Sequence, residues 1–232
     1  MKNVFKVPEL VEMLEAGVHF GHDRAKRNPK MQPYIFTQRN RIAIFDLEKT
    51  RNSLLEALDF IQSVAKDKNK TILFVGTKRQ AREVIRRHAE AAGMPYVTER
   101  WLGGTLTNFS TIQKSIEKLE HLKSEEANDK VQATLTKKEK SVRRKEIERL
   151  EGILEGIRSL RTLPATVFVA GAHDEELAVK EAIRMHIPVV GITDTNANPD
   201  SIDYPIPAND DAVHSLELLV GTVAAAVIAA RA

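Results

Sequence analysis

Short apolar runs alternate with amphipathic stretches along most of this chain. Five runs rich in β-branched and other apolar residues predict strands, at residues 41–45, 71–76, 165–170, 188–192 and 203–206. Helical periodicity follows three of them, at residues 48–66, 80–92 and 174–185. Apolar strands separated by helices are typical of a parallel sheet covered on both faces, so the pattern predicts a doubly wound α/β/α fold.

The segment 111–161 departs from this alternation because it contains no strand pattern. Its apolar residues recur with coiled-coil spacing in two groups, which are Ile112, Ile116 and Leu119, and then Ile147, Leu150, Leu154 and Ile157. We predict two antiparallel helical arms projecting from the sheet, with the polar stretch 123–141 as the turn region. The alternative is two ordinary surface helices, but the first arm has few apolar positions for globular packing.

This reading divides the chain into two domains. The first is a sheet domain with a basic N-terminal extension, made of residues 1–108 and 164–232. The second is the inserted hairpin, residues 109–163.

The composition excludes several kinds of protein. The chain of 232 residues is 42% hydrophobic, which is enough for one sizeable core, and it has no cysteine for disulfides, thiolate catalysis or cysteine-bound metals. Residues 1–10 lack the long apolar run of a signal peptide. The most apolar stretch, 218–230, is short and interrupted by Gly221 and Thr222, so we predict a buried helix rather than a membrane span. We therefore expect a soluble, cytoplasmic protein without membrane association.

Positive charge is clustered, although the formal net charge is only +3. The first cluster contains Arg24, Lys26, Arg27, Lys30, Arg39 and Arg41. The second contains Lys78, Arg79, Arg82, Arg86 and Arg87. The third, near the predicted hairpin tip, contains Lys137, Lys138, Lys140, Arg143, Arg144, Lys145 and Arg149. Each is compatible with a solvated surface, but the first lies in a proline-containing loop beside Asn28, which suits contacts with RNA.

The turn at 76–79 (GTKR) follows a predicted strand, as a nucleotide-binding loop does. It lacks both glycine-rich phosphate-binding motifs, so that interpretation is weak. A helix start whose cations face an RNA phosphate suits the residues better.

Acidic residues follow two of the predicted strands. Asp194 comes after 188–192, and Asp210 and Asp211 come after 203–206, where the carboxyl ends of parallel strands bind ligands. Histidines that could join them in a metal site are His19, His22 and His173. The alternative is local capping, with Asp210 or Asn209 at the start of the final helix and Asp194 with Asn196 in a turn. We favour capping, and keep a metal-assisted α/β hydrolase using Asp194 and Asp210 as the alternative function.

Blocks along the sequence resemble one protein family. They are AGVHFGH at 16–22, NPKM at 28–31, LEKT at 47–50, ILFVGTKR at 72–79, RWLGGTLTN at 100–108, LTKKE at 135–139, DTN at 194–196 and PANDDA at 207–212. They resemble the bacterial-type ribosomal protein S2 family of the small subunit, in order and across nearly the whole chain. The block at 100–108 is the most specific of them.

The resemblance implies a flavodoxin-like sheet domain with a protruding coiled-coil hairpin, and a structural role without catalysis, cofactor or metal. It implies a place in the small ribosomal subunit, between head and body, bound to small-subunit ribosomal RNA. The implied protein partners are other small-subunit proteins, including small-subunit protein one, which captures messenger RNA, and no homo-oligomer is expected. Two positions depart from the family: Gly171 stands where members tend to have aspartate, and Asp23 where a neutral polar residue is common.

The clusters and the resemblance together predict one set of RNA-binding residues. The set is Arg24, Lys26, Arg27, Asn28, Lys30, Arg39, Lys78, Arg79, Arg100, Trp101, Asn108, Lys137, Lys138, Arg143 and Arg144.

Overall fold

The computed structural model describes residues 5–128 and 135–232, and its centre is a five-stranded parallel sheet. The strands, in chain order, are β1 (Phe20–Asp23), β2 (Ile35–Arg39), β3 (Ile42–Phe45), β4 (Ile72–Val75), β5 (Tyr96–Val97), β6 (Thr166–Val169), β7 (Val189–Thr193) and β8 (Tyr204–Pro207). The parallel sheet has the order β5-β4-β6-β7-β8. The chain therefore starts inside the sheet, adds one strand on one side, and then adds three on the other.

Helices cover both faces of this sheet. They are α1 (Leu10–Glu15), α2 (Leu47–Ala65), α3 (Arg79–Ala91), α4 (Phe109–Glu126), α5 (Lys137–Leu154), α6 (Glu176–Arg184) and α7 (Val213–Arg231). Alternate residues of β4 face opposite cores. Ile72 and Phe74 pack with α2, α3 and α7, whereas Leu73 and Val75 pack with α6 and with buried residues of α4 and α5. The α/β class and the parallel sheet predicted from the sequence are confirmed.

Helix α7 is long and apolar enough to cross a membrane by length and composition, so the expectation that this region is too short for a span is wrong. It is a helix, as predicted, and half of its most apolar window is buried. Leu216, Leu219, Val220 and Val223 are inaccessible to solvent in the core formed with α2 and α3. Because a helix in such a core must be apolar, this packing accounts for its composition.

The run at 41–45 forms a strand but not in the predicted sheet. It is β3, which pairs antiparallel with β1 and β2 in a separate three-stranded sheet. Only alternate residues of β3, Ala43 and Phe45, are buried, as in a sheet covered on one face. Its place in the parallel sheet is taken by β5, whose two residues were too few to produce a sequence signal.

Helices α4 and α5 are the two predicted arms. Pairs across them join Gln113 to Arg161, Lys123 to Glu151 and Glu125 to Arg143, so the arms run antiparallel. Helix α5 begins with a capping box formed by Thr136 and Glu139. Residues 129–134, which belong to the predicted turn, lie outside the described residues. Residues 1–4, which belong to the segment predicted not to be a signal peptide, also lie outside them. The coiled-coil geometry and the domain boundaries stay predictions.

Two contacts fix the base of these arms. Beyond α5, Gly156 lies against β5 so closely that a Cβ there would be 2.2 Å from the carbonyl oxygen of Tyr96. Before α4, the loop 101–107 is bound to α6 through the buried carboxylate of Glu181. The arms therefore meet the sheet domain at two sites.

Candidate nucleic-acid interface and the adjoining charged cluster

The small antiparallel sheet docks on the carboxyl edge of the parallel sheet through Thr195, the second residue after β7. The Thr195 hydroxyl accepts a hydrogen bond from the backbone N–H of His22 at 2.9 Å, and its carbonyl accepts one from the N–H of Asn28 at 2.7 Å. Gly21 is pressed against the same side chain, because a Cβ there would lie 2.5 Å from Thr195 Cγ2. One buried residue thus holds both ends of the segment 22–28, which we call the basic loop.

Between these two ends the backbone of the basic loop makes hydrogen bonds within the loop and to the connection between β2 and β3. The Asp23 carboxylate accepts from the N–H of Ala25 at 2.8 Å, and the N–H of Arg24 donates to the carbonyl of Arg41 at 2.9 Å. Within residues 5–128 and 135–232, the side chains of Arg24, Lys26 and Arg27 form no ion pair or hydrogen bond. The sequence predicted that these cations lie in a proline-containing loop; the structure gives Arg24–Lys26 one short turn of 3₁₀ helix within it.

Beside this loop, four side chains converge in a charged cluster, which consists of His22, Asp194, Asp210 and Asp211. The His22 ring lies between two carboxylates, with Nδ1 3.1 Å from Asp194 and Nε2 3.2 Å from Asp211. One potential ligand atom from each of the four residues lies within 4.8 Å of the others, an arrangement able to hold a divalent cation. The hydrogen bond with Asp194 raises the pKa of His22, against the effect of its partial burial.

Lys78 brings a cation into the same cluster. Its ammonium group lies 2.8 Å from Asp210, 2.6 Å from Asp211 and 3.3 Å from Asp174. Burial lowers the pKa of Lys78, but hydrogen bonds to Asp210 and Asp211 outweigh it and raise that pKa above its ordinary value. Conversely, burial and the nearby Asp194 raise the pKa of Asp210 to about 7. The structure thus places Lys78 against carboxylates at the sheet edge.

The predicted capping roles are partly wrong. The final helix α7 has Ala212 at its N-cap without a side-chain cap, and the Asp210 carboxylate binds Lys78 instead. Asn209, three residues before Ala212, binds the backbone ahead of the helix instead: its side-chain oxygen accepts hydrogen bonds from the N–H groups of Asp211 and Ala212. Asp194 does bind local backbone, as predicted, through the N–H of Thr195. Sequence reasoning could not separate these roles, because the partners are distant in the chain.

The lysines and arginines of the predicted RNA-binding set fall into two groups in the described part of the chain. Those whose side chains carry no ion pair are Arg24, Lys26, Arg27, Arg39, Arg79, Arg100, Lys137 and Lys138. Those paired with a carboxylate are Lys30 (Asp200), Lys78 (Asp210), Arg143 (Glu125) and Arg144 (Glu148). Asn28 and Asn108 bind local groups, Lys30 N–H and the Thr111 hydroxyl. The cations of the first group are therefore not held in a direct ion pair and can meet an anionic partner, although the charge of Lys26 also helps to lower the pKa of Asp211.

Trp101 is placed differently from a base-stacking residue. It is 7% exposed, and its indole N–H donates to Glu181 at 3.0 Å. The same carboxylate accepts from the backbone N–H groups of Gly104, Leu106 and Thr107 and from the Thr107 hydroxyl. Burial opposes ionisation of Glu181, but these donors outweigh it and lower the pKa. Glu181, which the sequence did not reveal, organises the block RWLGGTLTN.

Large apolar side chains lie exposed on and beside the small sheet. Phe36 is 75% exposed and Leu14 is 52% exposed. They line a cavity of about 430 Å³ together with His19, which is not among the four residues of the charged cluster. His173 is also outside that cluster and lines a second cavity with Asn28 and Asn196. Exposed apolar surface of this kind favours contact with a protein.

The charged cluster and the basic loop together indicate the class to which this protein belongs. The sheet edge that binds small ligands in many α/β enzymes is filled here by the protein's own ion pairs, while unpaired cations stand on an ordered loop. This arrangement is typical of proteins that bind a nucleic acid. The family model for ribosomal protein S2 matches residues 13–230.

The chain therefore belongs to the ribosomal protein S2 family. That family is a structural ribosomal family of the small subunit, working in translation as part of a ribonucleoprotein, and is not an enzyme family. The match gives no support to the alternative of a metal-assisted hydrolase.

Proposed function

We propose that this protein is a constituent of the cytoplasmic small ribosomal subunit that binds small-subunit ribosomal RNA through the basic loop. The observation that carries the proposal is the state of Arg24, Lys26 and Arg27. Their backbone is fixed at both ends by Thr195, yet their charges are unpaired within the described residues. A fixed loop with free cations loses little conformational entropy when it binds phosphates, so it is suited to a polyanion.

The hairpin is the second proposed RNA contact. Lys137 and Lys138 are exposed in the first turn of α5, whereas Arg143 and Arg144 are shared with carboxylates. The strand order of the sheet supports a flavodoxin-like fold, and the antiparallel arms support a coiled-coil hairpin inserted at 109–163. In this proposal the sheet domain and the hairpin carry separate RNA contacts.

Neighbouring proteins form the other part of the proposal. Small-subunit protein one and other small-subunit proteins are the expected partners, with neither a membrane nor a second copy of this chain. The exposed Phe36 and the cavity that it lines support a protein contact on this part of the surface. Docking of protein one there would support translation initiation.

The salt dependence of RNA binding tests the proposal. Small-subunit ribosomal RNA transcribed in vitro should bind with a log–log slope against salt of about −0.7 to −0.9 per phosphate contacted. Replacing Arg24, Lys26 and Arg27 with alanine should reduce that slope by about 2 to 3 if all three contact phosphates. The matched control replaces Lys66, Lys68 and Lys70, exposed lysines in the loop before β4.

The control variant removes the same charge from a different part of the surface. If both triple variants lower affinity equally, binding follows net charge and the basic loop is not a specific contact. A wild-type slope in the Arg24, Lys26 and Arg27 variant refutes the proposal. Co-sedimentation with small subunits provides the cellular test, since a protein found almost entirely free would contradict the proposed place in the ribosome.

A further inference from the structure

The sequence separates the basic loop from the residue that holds it by more than 160 positions, and no RNA-binding prediction included that residue. Thr195 is fully buried, with an exposed fraction of 0%. It is the second residue after β7 and is not one of the four residues of the charged cluster. Its hydroxyl and carbonyl face the two ends of the basic loop, and each forms one hydrogen bond with it.

The carbonyl, the hydroxyl and the methyl group of Thr195 all take part in holding the basic loop. The carbonyl binds the N–H of Asn28, the hydroxyl oxygen accepts from the N–H of His22, and the hydroxyl proton points to Asp194 at 3.0 Å. The hydroxyl therefore acts as acceptor and donor at once, which valine cannot do and serine can. The methyl group, in turn, fills the space beside Gly21. Every part of this side chain has a defined role in closing the loop.

We propose that Thr195 is a positioning residue for RNA binding: it preforms the basic loop so that Arg24, Lys26 and Arg27 face an RNA backbone. This inference rests on the proposed function, because it assumes that those three cations contact RNA. Thr195 itself touches no RNA, since it is buried. Its effect comes from ordering the loop before binding, which removes a conformational cost from association.

A positioning residue and a contact residue change RNA binding in different ways. Removing a contact cation lowers the affinity and also the slope of affinity against salt, because fewer counterions are released. Releasing the loop lowers the affinity but leaves the slope unchanged, because the same cations reach the same phosphates after the loop is ordered. Thr195→Val should therefore weaken RNA binding by about tenfold, with the wild-type slope.

Two comparisons separate this effect from a general loss of stability. Thr166→Val removes another buried hydroxyl, which donates to the carbonyl of Pro188, at the amino end of β6. Thr166→Val should lower the melting temperature about as much as Thr195→Val does, but it should leave the RNA affinity unchanged. Thr195→Ser keeps the hydroxyl and should bind RNA within about twofold of wild type.

The contact with Gly21 provides a compensating pair of variants. Gly21→Ala places a Cβ 2.5 Å from Thr195 Cγ2 and should weaken binding as Thr195→Val does. Adding Thr195→Ser removes that methyl group, and the double variant should recover most of the lost affinity. Some deficit should remain, because the new Cβ also lies 3.1 Å from the hydroxyl oxygen at position 195, which serine keeps, and 3.3 Å from the carbonyl oxygen of Ala43.

The experiment is filter binding of each purified full-length variant to small-subunit ribosomal RNA over a range of salt concentrations. Reduced affinity with an unchanged slope in Thr195→Val, with recovery in the double variant, supports the inference. Wild-type affinity in Thr195→Val, or a reduced slope, overturns it. If the Arg24, Lys26 and Arg27 triple variant also binds like wild type, the proposed function fails as well, whereas a weakened triple variant beside a normal Thr195→Val refutes the positioning role alone.

Discussion

One carboxyl of the charged cluster, that of Asp210, contributes a pH dependence of stability in the direction opposite to that of most carboxylates. Burial and the neighbouring Asp194 raise the pKa of Asp210 from 3.8 to about 7. As pH rises between these values, the unfolded chain releases its proton while the folded protein retains it. The free energy of unfolding then falls with rising pH, because the unfolded state binds fewer protons.

The magnitude follows from the two pKa values of Asp210. At about 1.4 kcal/mol per pH unit, the full interval corresponds to a loss of about 4 kcal/mol. Between pH 5 and pH 7 the loss is about 2 kcal/mol, because the folded protein has already released part of the proton at pH 7. Asp210→Asn removes this titration but keeps the shape of the protonated side chain. The variant should therefore gain stability relative to the wild type as pH rises, and should be the more stable protein at pH 8.

Urea unfolding of both proteins, followed by circular dichroism at unit steps from pH 5 to pH 8, measures this difference. A chelator in all samples removes divalent cations, which the cluster could bind. A wild type that gains stability over Asp210→Asn as pH rises would show that Lys78 keeps Asp210 ionised, and would refute the reasoning. Repeating the pH 8 measurement with Zn²⁺ in place of the chelator asks whether a cation stabilises the wild type more than the variant.

Three further predictions concern other parts of the molecule. Glu181→Gln should destabilise the protein by about 2–3 kcal/mol, because an amide replaces the carboxylate that accepts these hydrogen bonds, and the fluorescence of Trp101, the single tryptophan, should shift to the red. Glu176→Gln, at an exposed position of the same helix, is the control. A Glu181→Gln variant with wild-type stability and wild-type fluorescence would contradict the role of Glu181. Replacing residues 120–148 with a short Gly/Ser linker should keep cooperative unfolding but weaken RNA binding, whereas aggregation would show that the removed parts of the arms pack on the sheet. Asp194→Asn with Asp210→Asn should still enter small subunits in a gradient, and exclusion from them would make the charged cluster essential for assembly.

The sequence predicted the elements whose signals are local. β4, β6 and β7 are continuous runs buried at every position, and a strand buried on both faces allows few other residues, whereas only the second half of β8 is fully buried. The placement of β3 was wrong because its alternating burial depends on β1 and β2, whose pairing a single run does not reveal. β5 was missed because two residues do not form a pattern.

The candidate site was harder to predict because its partners are far apart in the chain. The basic loop was visible as a concentration of cations, but its attachment to Thr195 joins residues 173 positions apart. Trp101 was predicted to contact RNA, whereas the structure buries it against Glu181, 80 positions away. Lys78 was likewise grouped with its neighbours by charge, and its pairing with Asp210 depends on the fold. A run of like charges indicates a surface but not which members of the run are already neutralised.

The two contacts at the base of the arms have a mechanical consequence. Helix α5 is 18 residues long, about 27 Å at the usual rise, so a swing of its far end by 5 Å needs a rotation of only about 10° at the base. Such a rotation is opposed where Gly156 meets Tyr96 and where Glu181 holds the loop before α4. The arms and the sheet should accordingly move as one rigid body. The distance between the basic loop and Lys137 and Lys138 would then stay constant, and so would the spacing between the two groups that these surfaces bind.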